Sequence, residues 1–459
     1  MKLQGILFLL IYAAIMITAT MIFTKRAKTG ESFHVADRSM GPVVSAMSIA
    51  ATWIWAPALF TSAEKAYSNG LAGLFWFLVP NVVCLLVFIP FAKKIRKEMP
   101  QGITLSGYMY ERYHSKAAKN AYLFELSMLS ILSTAVQLLA GGKIMSMTTG
   151  LSFPFVTVAL AAIAYAYSQF SGIRASVLTD VLQMLFMLAA CILFVPWALK
   201  LNGGWSAVKL SGITGEYGSL FGQKGLEVFL GFGLPTAIGL ISGPFGDQCF
   251  WQRAFCIKES KITKAFVLGA LFFAVVPLSM GILGFIAAGT GFIPKDAGTV
   301  NLELIQAILP AWVLVPFMYM LISGLMSTVD SDLCAAASLT TDITKDNGTG
   351  IPKAAMLLIL GIGIAIANIP GITVTKMFLI YGTLRATTLL PTILTLTGKK
   401  LTGNGVAAGV ITAMSVGLPI FAYGTVKNLS GYKTAGSLLS VLLAGFVAIL
   451  VSRRKEAAA

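Results

Sequence analysis

Residues 321–345 read LISGLMSTVDSDLCAAASLTTDITK. The stretch is apolar enough for a membrane helix, yet it sets Ser323, Ser327, Thr328, Asp330, Ser331 and Asp332 within about three helical turns. At roughly 3.6 residues per turn, Gly324, Ser327, Thr328 and Ser331 share one stripe, with Asp330 at its edge. Small and hydroxylated residues alone let membrane helices approach closely and bond across the seam. The carboxylates change that reading. An Asp near mid-membrane costs about 2.5–3.5 kcal/mol on the insertion scale, so something must offset it. Hydroxyls, a carboxylate and a close-packing glycine on one face point to a small-cation site.

The rest of the chain agrees with a membrane setting. Of 459 residues, 57% are hydrophobic and only 11% are charged. A soluble chain cannot hide that much apolar surface, whereas an all-α polytopic membrane protein needs it. No polar stretch is long enough for a separate soluble domain, so residues 1–459 read as one membrane transport domain. The run from Leu3 to Phe23 is long enough to span and lacks a small-residue cleavage site, which makes it a helix rather than a signal peptide.

The net charge of +16 does not signal a nucleic-acid partner. Its Lys and Arg lie in short loops between apolar spans, among them Lys25, Arg26, Lys28, Arg38, Lys93, Lys94, Arg253, Lys258, Arg453 and Arg454. That is the positive-inside pattern, with contact to anionic lipid. It puts the N-terminus outside, the C-terminus in the cytoplasm and the protein in a plasma (bacterial inner) membrane. Cys84, Cys191, Cys249, Cys256 and Cys334 sit in apolar spans or near their cytoplasmic ends, so no structural disulfide is expected. His34 and His114 have no neighbouring ligands, which leaves zinc chemistry and a His-based relay unsupported.

Spans of about 20 residues give thirteen helices, near 3–23, 43–68, 72–96, 120–149, 154–170, 174–199, 226–250, 264–291, 311–344, 354–369, 374–396, 404–423 and 434–452. The second and seventh look broken. AATWIWAP (50–57) places Pro57 in mid-span, and GLISGPFGDQCFW (239–251) packs Gly239, Gly243, Pro244 and Gly246 ahead of Asp247 and Gln248. Proline removes a donor and glycine loosens the helix. Unwound backbone at membrane depth persists only where it lines a cavity or is buried in protein.

The breaks are five helices apart, and each opens a five-helix unit. Because five is odd, the second unit enters from the opposite side, which supplies a five-plus-five inverted repeat. Interrupted helices at matching positions of two halves mark a transporter binding site. The expected organisation is a leading helix and loop (1–40), two repeats (41–200 and 225–400) and two C-terminal helices (401–459). Among other polar groups, Asp180 either pairs with a base such as Arg174 or ligates an ion. Glu125 and Lys143 lie nearer helix ends and read as snorkelling. Arg385 is expected to have a structural partner, and Asp342 closes the ninth helix at the cytoplasm.

SGIRASVLTDVLQ (171–183) resembles the sodium:solute symporter segment that ends Thr-Asp-x-x-Gln. GLMSTVDSDLCAAASLTTDITK (324–345) is similar to that family's Met-Ser-[Ser/Thr] segment. Ile173 departs from the usual glycine and Thr344 from the usual tyrosine. The resemblance implies the leucine-transporter fold and a sodium site made by the carbonyls of Ala50, Trp53 and Gly324 with the hydroxyls of Ser327 and Thr328. It also implies a second cation position at Asp180, Asp330 and Ser331, near Ser327. TWIWAPALF (52–60) and GDQCFWQRA (246–254) look closest to the urea-transporting branch, which places Trp55, Pro57, Asp247, Gln248 and Phe250 at the solute.

The expected function is sodium-coupled import of a small polar organic solute of the urea, amino acid or sugar class by alternating access. Sodium is the coupling ion, the bilayer is the other partner, and no cofactor or protein partner is expected. The alternatives are a proton-coupled symporter of the same fold and a transporter-like membrane sensor. The sequence stops at Ala459 without an output domain, which disfavours the sensor. An enzyme is not expected, because Asp180, Asp330 and Asp332 have no nucleophile or metal cluster around them.

Overall fold

A computed structural model describes residues 2–23, 29–208, 215–344 and 348–456. Lys25, Arg26 and Lys28, counted above among loop charges, and Lys345, the last residue of the quoted stretch, lie outside them. The described residues are helical, with no strand and a single isolated bridge between Met40 and Ile257. The principal helices are α1 (Lys2–Phe23), α2 (Pro42–Trp53), α3 (Thr61–Glu98), α4 (Lys116–Thr149), α5 (Phe153–Ser171), α6 (Ile173–Leu201), α7 (Leu234–Ile241) and α8 (Gln248–Cys256). They continue with α9 (Ile262–Gly289), α10 (Leu314–Leu339), α11 (Gly350–Ala367), α12 (Val374–Leu396), α13 (Gly403–Thr412), α14 (Leu418–Val426) and α15 (Ser430–Glu456). Among the described residues, 12 helices are long and apolar enough to cross a membrane.

Expected boundaries and structure differ for identifiable reasons. α3 runs 38 residues, roughly 57 Å at 1.5 Å per residue and far more than a bilayer core requires. It bends sharply at Asn69 and Gly70, where Gly70 takes φ 54° and ψ −145°, so the boundary expected between residues 68 and 72 is a kink. That backbone position is open to glycine and strained for other residues. The expected spans 226–250 and 404–423 each contain a wide π turn, Phe229–Gly233 and Ala413–Gly417.

α10 is the axis of the molecule. Every residue from Met320 to Leu339 is buried, and the helix packs on α6, α4 and α11. α9 lies against α3 and α2, while α7 wedges between α3 and α12. α13 and α14 pack on α15 at the periphery. Apolar side chains such as Leu7, Leu10, Leu358, Leu442 and Phe446 face outward, as a lipid-facing surface requires. A helix buried on all sides can carry polar residues only where neighbouring helices satisfy them, and α10 carries the quoted stretch from Leu321 to Leu339.

On the face expected to lie in the cytoplasm, loops knit the molecule shut. Met40 and Cys256–Lys258 exchange backbone hydrogen bonds. Arg38 donates to the carbonyl of Gly102 at 2.7 Å. Thr104 and Ser106 both donate to Asp342 Oδ2, at 2.8 and 2.5 Å. On the opposite face, a vestibule of about 240 Å³ is lined by Phe60, Glu64, Lys143, Asp296 and Thr375 among others. Lys143, expected to snorkel, pairs there with Asp296.

Candidate functional site

The two breaks meet at the centre. α2 ends at Trp53, and Ile54 (φ −84°, ψ 79°) and Trp55 (φ −100°, ψ 178°) leave helical geometry. The helix resumes at Ala56 with Pro57 in its first turn, where a missing N–H costs nothing. The amide freed at Ala56 donates to Gln137 Oε1 of α4 at 2.8 Å, and the Trp53 indole donates to the carbonyl of Asn81 at 3.0 Å. Unwound backbone is thus paired inside the protein, as membrane depth demands.

In the second break, Asp247 is extended (φ −116°, ψ 116°) and its two oxygens serve different partners. Oδ1 accepts the Cys249 N–H at 3.1 Å and caps α8. Oδ2 accepts from Arg385 Nη2 and from the Tyr381 hydroxyl, each at 2.8 Å. Gly243 permits the contact between the breaks, because a Cβ there would lie 2.2 Å from Trp53 Cη2.

Between the breaks lies a closed cavity lined by Thr52, Trp53, Trp55, Ser133, Asp247, Cys249, Thr328, Asp332, Tyr381 and Arg385. It leaves about 10 Å³ for a water-sized sphere, room for one such molecule. The Arg385 guanidinium sits 3.9 Å from the ring centre of Tyr381, 4.9 Å from Trp55 and 5.0 Å from Trp53, a cation–π arrangement. Among the described residues, Arg385 Nε and Nη1, Asp332 Oδ2 and Trp55 Nε1 have no hydrogen-bond partner. Buried polar atoms are otherwise almost always paired. The cavity therefore offers donors and an acceptor to a polar guest.

Of the expected solute residues, Trp55 and Asp247 line this cavity, whereas Pro57, Gln248 and Phe250 do not. Pro57 starts the short helix Ala56–Leu59. Phe250 meets Trp53 edge-on at 5.0 Å. Gln248 donates to the carbonyl of Ile103 and the hydroxyl of Ser338, and accepts from the amide of Leu105, so it fastens α8 to a loop. Sequence reasoning missed Asp332 as a cavity residue. Its signal was present, since Thr328 and Asp332 are four apart on one face. Tyr381 and Arg385 carried no local signal beyond an intramembrane charge.

Of the expected first cation residues, Ala50 and Trp53 lie on α2 beside its break, Gly324 and Thr328 meet that break from α10, and Ser327 faces α6. Ala50, Trp53, Gly324, Ser327 and Thr328 are all buried, and Thr328 Oγ1 donates to the carbonyls of Thr52 at 3.2 Å and Gly324 at 3.3 Å. A Cβ on Gly324 would lie 3.2 Å from Ile54, so α10 and the break touch there. The Ala50 carbonyl accepts the Ile54 N–H at 2.9 Å. Ser327 turns its hydroxyl to Asp180 Oδ1 at 2.5 Å.

Beside them lies a second polar cluster with an unforeseen member. Asp180, Asp330 and Ser331 come together, but Asp180 pairs with Arg253 Nη2 at 3.0 Å rather than with Arg174, which pairs with Asp37. Arg253, counted above as a loop cation, is 2% exposed and lies on α8 inside the bundle. One further correction concerns α4. Glu125 does not snorkel: it is buried against α12 and accepts from the Thr388 hydroxyl at 3.2 Å. Asp330 turns from the cavity to α6, accepting from Ser176 at 2.7 Å and Thr179 at 3.0 Å.

Comparisons with known proteins follow the same lines. Residues 33–413 match the sodium:solute symporter family. The urea-proton symporter DUR3 of Oryza sativa subsp. japonica is 22% identical over 91% of this chain, which spans 66% of that protein's length. The sodium/pantothenate symporter of Escherichia coli (strain K12) is 25% identical over 99% of this chain and 97% of its own. A solved structure of a Na+-coupled sialic acid symporter in a substrate-bound outward-open state gives a TM-score of 0.76 at 15% identity, covering 97% of this chain and 98% of that one. At that identity the likeness is one of fold, and the fold and relatives are those of transport proteins. Because the family match runs from the loop before the first break to the helix after the second repeat, this multi-pass membrane chain belongs to the sodium:solute symporter family.

Proposed function

We propose that the protein is a sodium-coupled symporter that imports a small polar organic solute by alternating access. One observation carries this reading: a closed cavity at two helix breaks in which Arg385, Asp332 and Trp55 leave buried polar atoms without partners among the described residues. A solute with both an acceptor and a donor, such as an amide or a small zwitterion, satisfies the Arg385 N–H groups and the Asp332 oxygen together. The Trp53 and Trp55 rings, 6.0 Å apart and nearly parallel at 22°, form one apolar wall for a flat guest. The space as it stands holds one water-sized molecule, so even a solute of urea's size, which the urea transporters among the relatives suggest, requires the breaks to move apart.

Sodium would bind beside the solute at the α2 break, where Thr328 meets the carbonyls of Thr52 and Gly324 and the Ser327 hydroxyl would turn from Asp180 to join them. A hard cation is served by oxygens of this kind without a full carboxylate. Cation and solute are coupled if each favours the same conformation. The proposed orientation has the N-terminus outside and the C-terminus in the cytoplasm of a plasma membrane, with the vestibule at Lys143 and Asp296 as the entrance.

A proton is the second candidate for the coupling ion. Asp332 supports it, since it forms no ion pair among the described residues and a buried carboxyl is then costly to charge, and the rice relative is a urea-proton symporter by name. Uptake of radiolabelled urea, and of proline and pantothenate in parallel, into proteoliposomes separates the readings. The sodium reading expects accumulation with an inward sodium gradient and none with potassium. Accumulation driven by an inward pH gradient alone, indifferent to sodium, would favour the proton. No accumulation under either gradient would sink both.

A further inference from the structure

We propose that Asp247, Cys249 and Asp332 form a binding site for one divalent cation of the zinc class, and that an ion held there shuts the central cavity to solute. Binding of the ion stands by itself. The blocking of solute rests on the reading of the cavity as the transport site.

The three side chains approach from two elements. Asp247 is the extended residue of the second break, Cys249 lies in the first turn of α8, and Asp332 reaches in from α10. All three are buried and line the cavity. One ligand atom from each lies within 4.8 Å of the other two. Cys249 Sγ donates to Asp332 Oδ1 at 3.6 Å. Tetrahedral zinc, at about 2.3 Å from sulfur and about 2.1 Å from oxygen, sets two such ligands about 3.6 Å apart. That pair therefore stands at coordinating separation with a proton where the metal would sit. The other Asp332 oxygen, Oδ2, has no partner among the described residues, and buried polar atoms are seldom left so. Asp247 Oδ1 accepts the Cys249 amide at 3.1 Å and keeps a second lone pair for an ion. Arg385 and Tyr381 hold its other oxygen, the outer support that a metal-bound carboxylate needs. Ser133 lines the same cavity, and its hydroxyl or a water completes four-coordination.

Size and charge select the ion. The cavity holds one water-sized molecule as it stands, so a zinc ion fits with the breaks in place. A sulfur ligand favours zinc or cadmium, whereas sodium, magnesium and calcium take oxygens. On binding, the Cys249 thiol releases its proton to solvent and the thiolate bonds the metal, which stays divalent. Two carboxylates and one thiolate are then balanced by the ion and the Arg385 guanidinium together, as buried charges must be. The bound ion ties the second break to α10 and keeps the cavity closed. No linear pattern shows this cluster, because Cys249 and Asp332 are 83 residues apart. The expectation that Asp332 has no metal cluster around it is corrected by the return of α8 into the bundle.

The test is the zinc retained by tag-free, full-length protein after gel filtration in excess magnesium, counted by elemental analysis, with cobalt as a spectroscopic stand-in. The wild type is expected to hold one zinc per chain and to show a thiolate-to-cobalt charge-transfer band. Cys249→Ser and Asp332→Asn are each expected to lose that equivalent, and Cys249→Ser to lose the band. Cys191→Ser, which removes another buried thiol, is expected to keep both. A wild type that retains no zinc, a count that survives either substitution at the site, or a cobalt complex without the band overturns the proposal. In proteoliposomes, zinc is expected to stop wild-type uptake of radiolabelled urea, proline or pantothenate, a chelator to restore it, and the uptake left in Cys249→Ser to be indifferent to zinc. One bound zinc per chain with uptake unimpaired overturns the blocking. Should none of these solutes move under any gradient, the transport reading fails while the zinc count still decides the site, so the two failures are distinguishable.

Discussion

The Arg385 guanidinium on α12 donates to Asp247 Oδ2 at 2.8 Å across the second helix break, while the other oxygen of Asp247 caps the half-helix that follows. One carboxylate therefore fixes the break's geometry and holds the cation that faces the cavity. Removing one partner of a buried ion pair costs about 3–5 kcal/mol, because the other is left uncompensated. Arg385→Ala is expected to lower the melting temperature sharply and abolish uptake. Asp247→Asn with Arg385→Gln is expected to regain most of the stability and none of the uptake. Recovery of uptake by the neutral pair would show that the ion pair holds the fold and not the solute.

Asp332 makes a different prediction. Its Oδ2 is unpaired among the described residues, so Asp332→Asn removes an acceptor without orphaning a cation. Stability is expected to change by less than about 1 kcal/mol, whereas a lost hydrogen bond to the solute, worth about 1–3 kcal/mol, raises the half-saturating solute concentration about tenfold or more. Uptake kinetics and a melting curve on the same preparation check it. Unchanged kinetics would remove Asp332 from the solute site.

Ser327→Ala with Thr328→Ala tests the coupling ion. Two hydroxyl ligands at about 1 kcal/mol each should raise the half-activating sodium concentration about tenfold or more at saturating solute. Thr328 also bridges to the Thr52 carbonyl, so Thr328→Ser, which keeps the oxygen, is expected to retain most of the sodium affinity. An unchanged sodium dependence in the double variant rules out this site.

His34 sets a pH dependence outside the membrane spans. Burial lowers its pKa from 6.5 to about 4, and its Nδ1 has no partner among the described residues, so the ring is neutral in the folded protein. Below about pH 6.5 the unfolded chain takes up a proton that the folded chain refuses until about pH 4. Stability therefore falls as pH drops through that window and levels off beneath it. The loss approaches about 3 kcal/mol, at 1.36 kcal/mol per unit. His34→Gln is expected to flatten the melting temperature between pH 7 and pH 5. An identical slope in the variant would assign the dependence to other groups.

The polar stretch at 321–345 and the two broken helices were legible because membrane physics makes them costly. A carboxylate or an unwound turn at that depth needs a reason, and a linear reading can see the cost. Hydrophobic length gave the helices for the same reason, and the kink at Asn69 and Gly70 blurred only a boundary. The partner of each costly group was not legible. Arg253 sits among residues that look like a cytoplasmic loop, and only the return of α8 into the bundle carries it to Asp180. Glu125 looked like a residue near a helix end until α12 closed over it. Arg385 and Asp247 are 138 residues apart, and no local pattern joins them.

Sequence alone determined that this is a polytopic membrane chain with two interrupted helices and a hydroxyl- and carboxylate-bearing helix, because hydropathy and backbone chemistry are local properties. Tertiary structure decided which charges neutralise one another. It split α10 into a cavity face with Thr328 and Asp332, a face with Ser327 and Ser331 toward Asp180 and Arg253, and Asp330 turned to α6. In a low-dielectric interior a charge is settled by the partner within about 3 Å, and that partner comes from another helix.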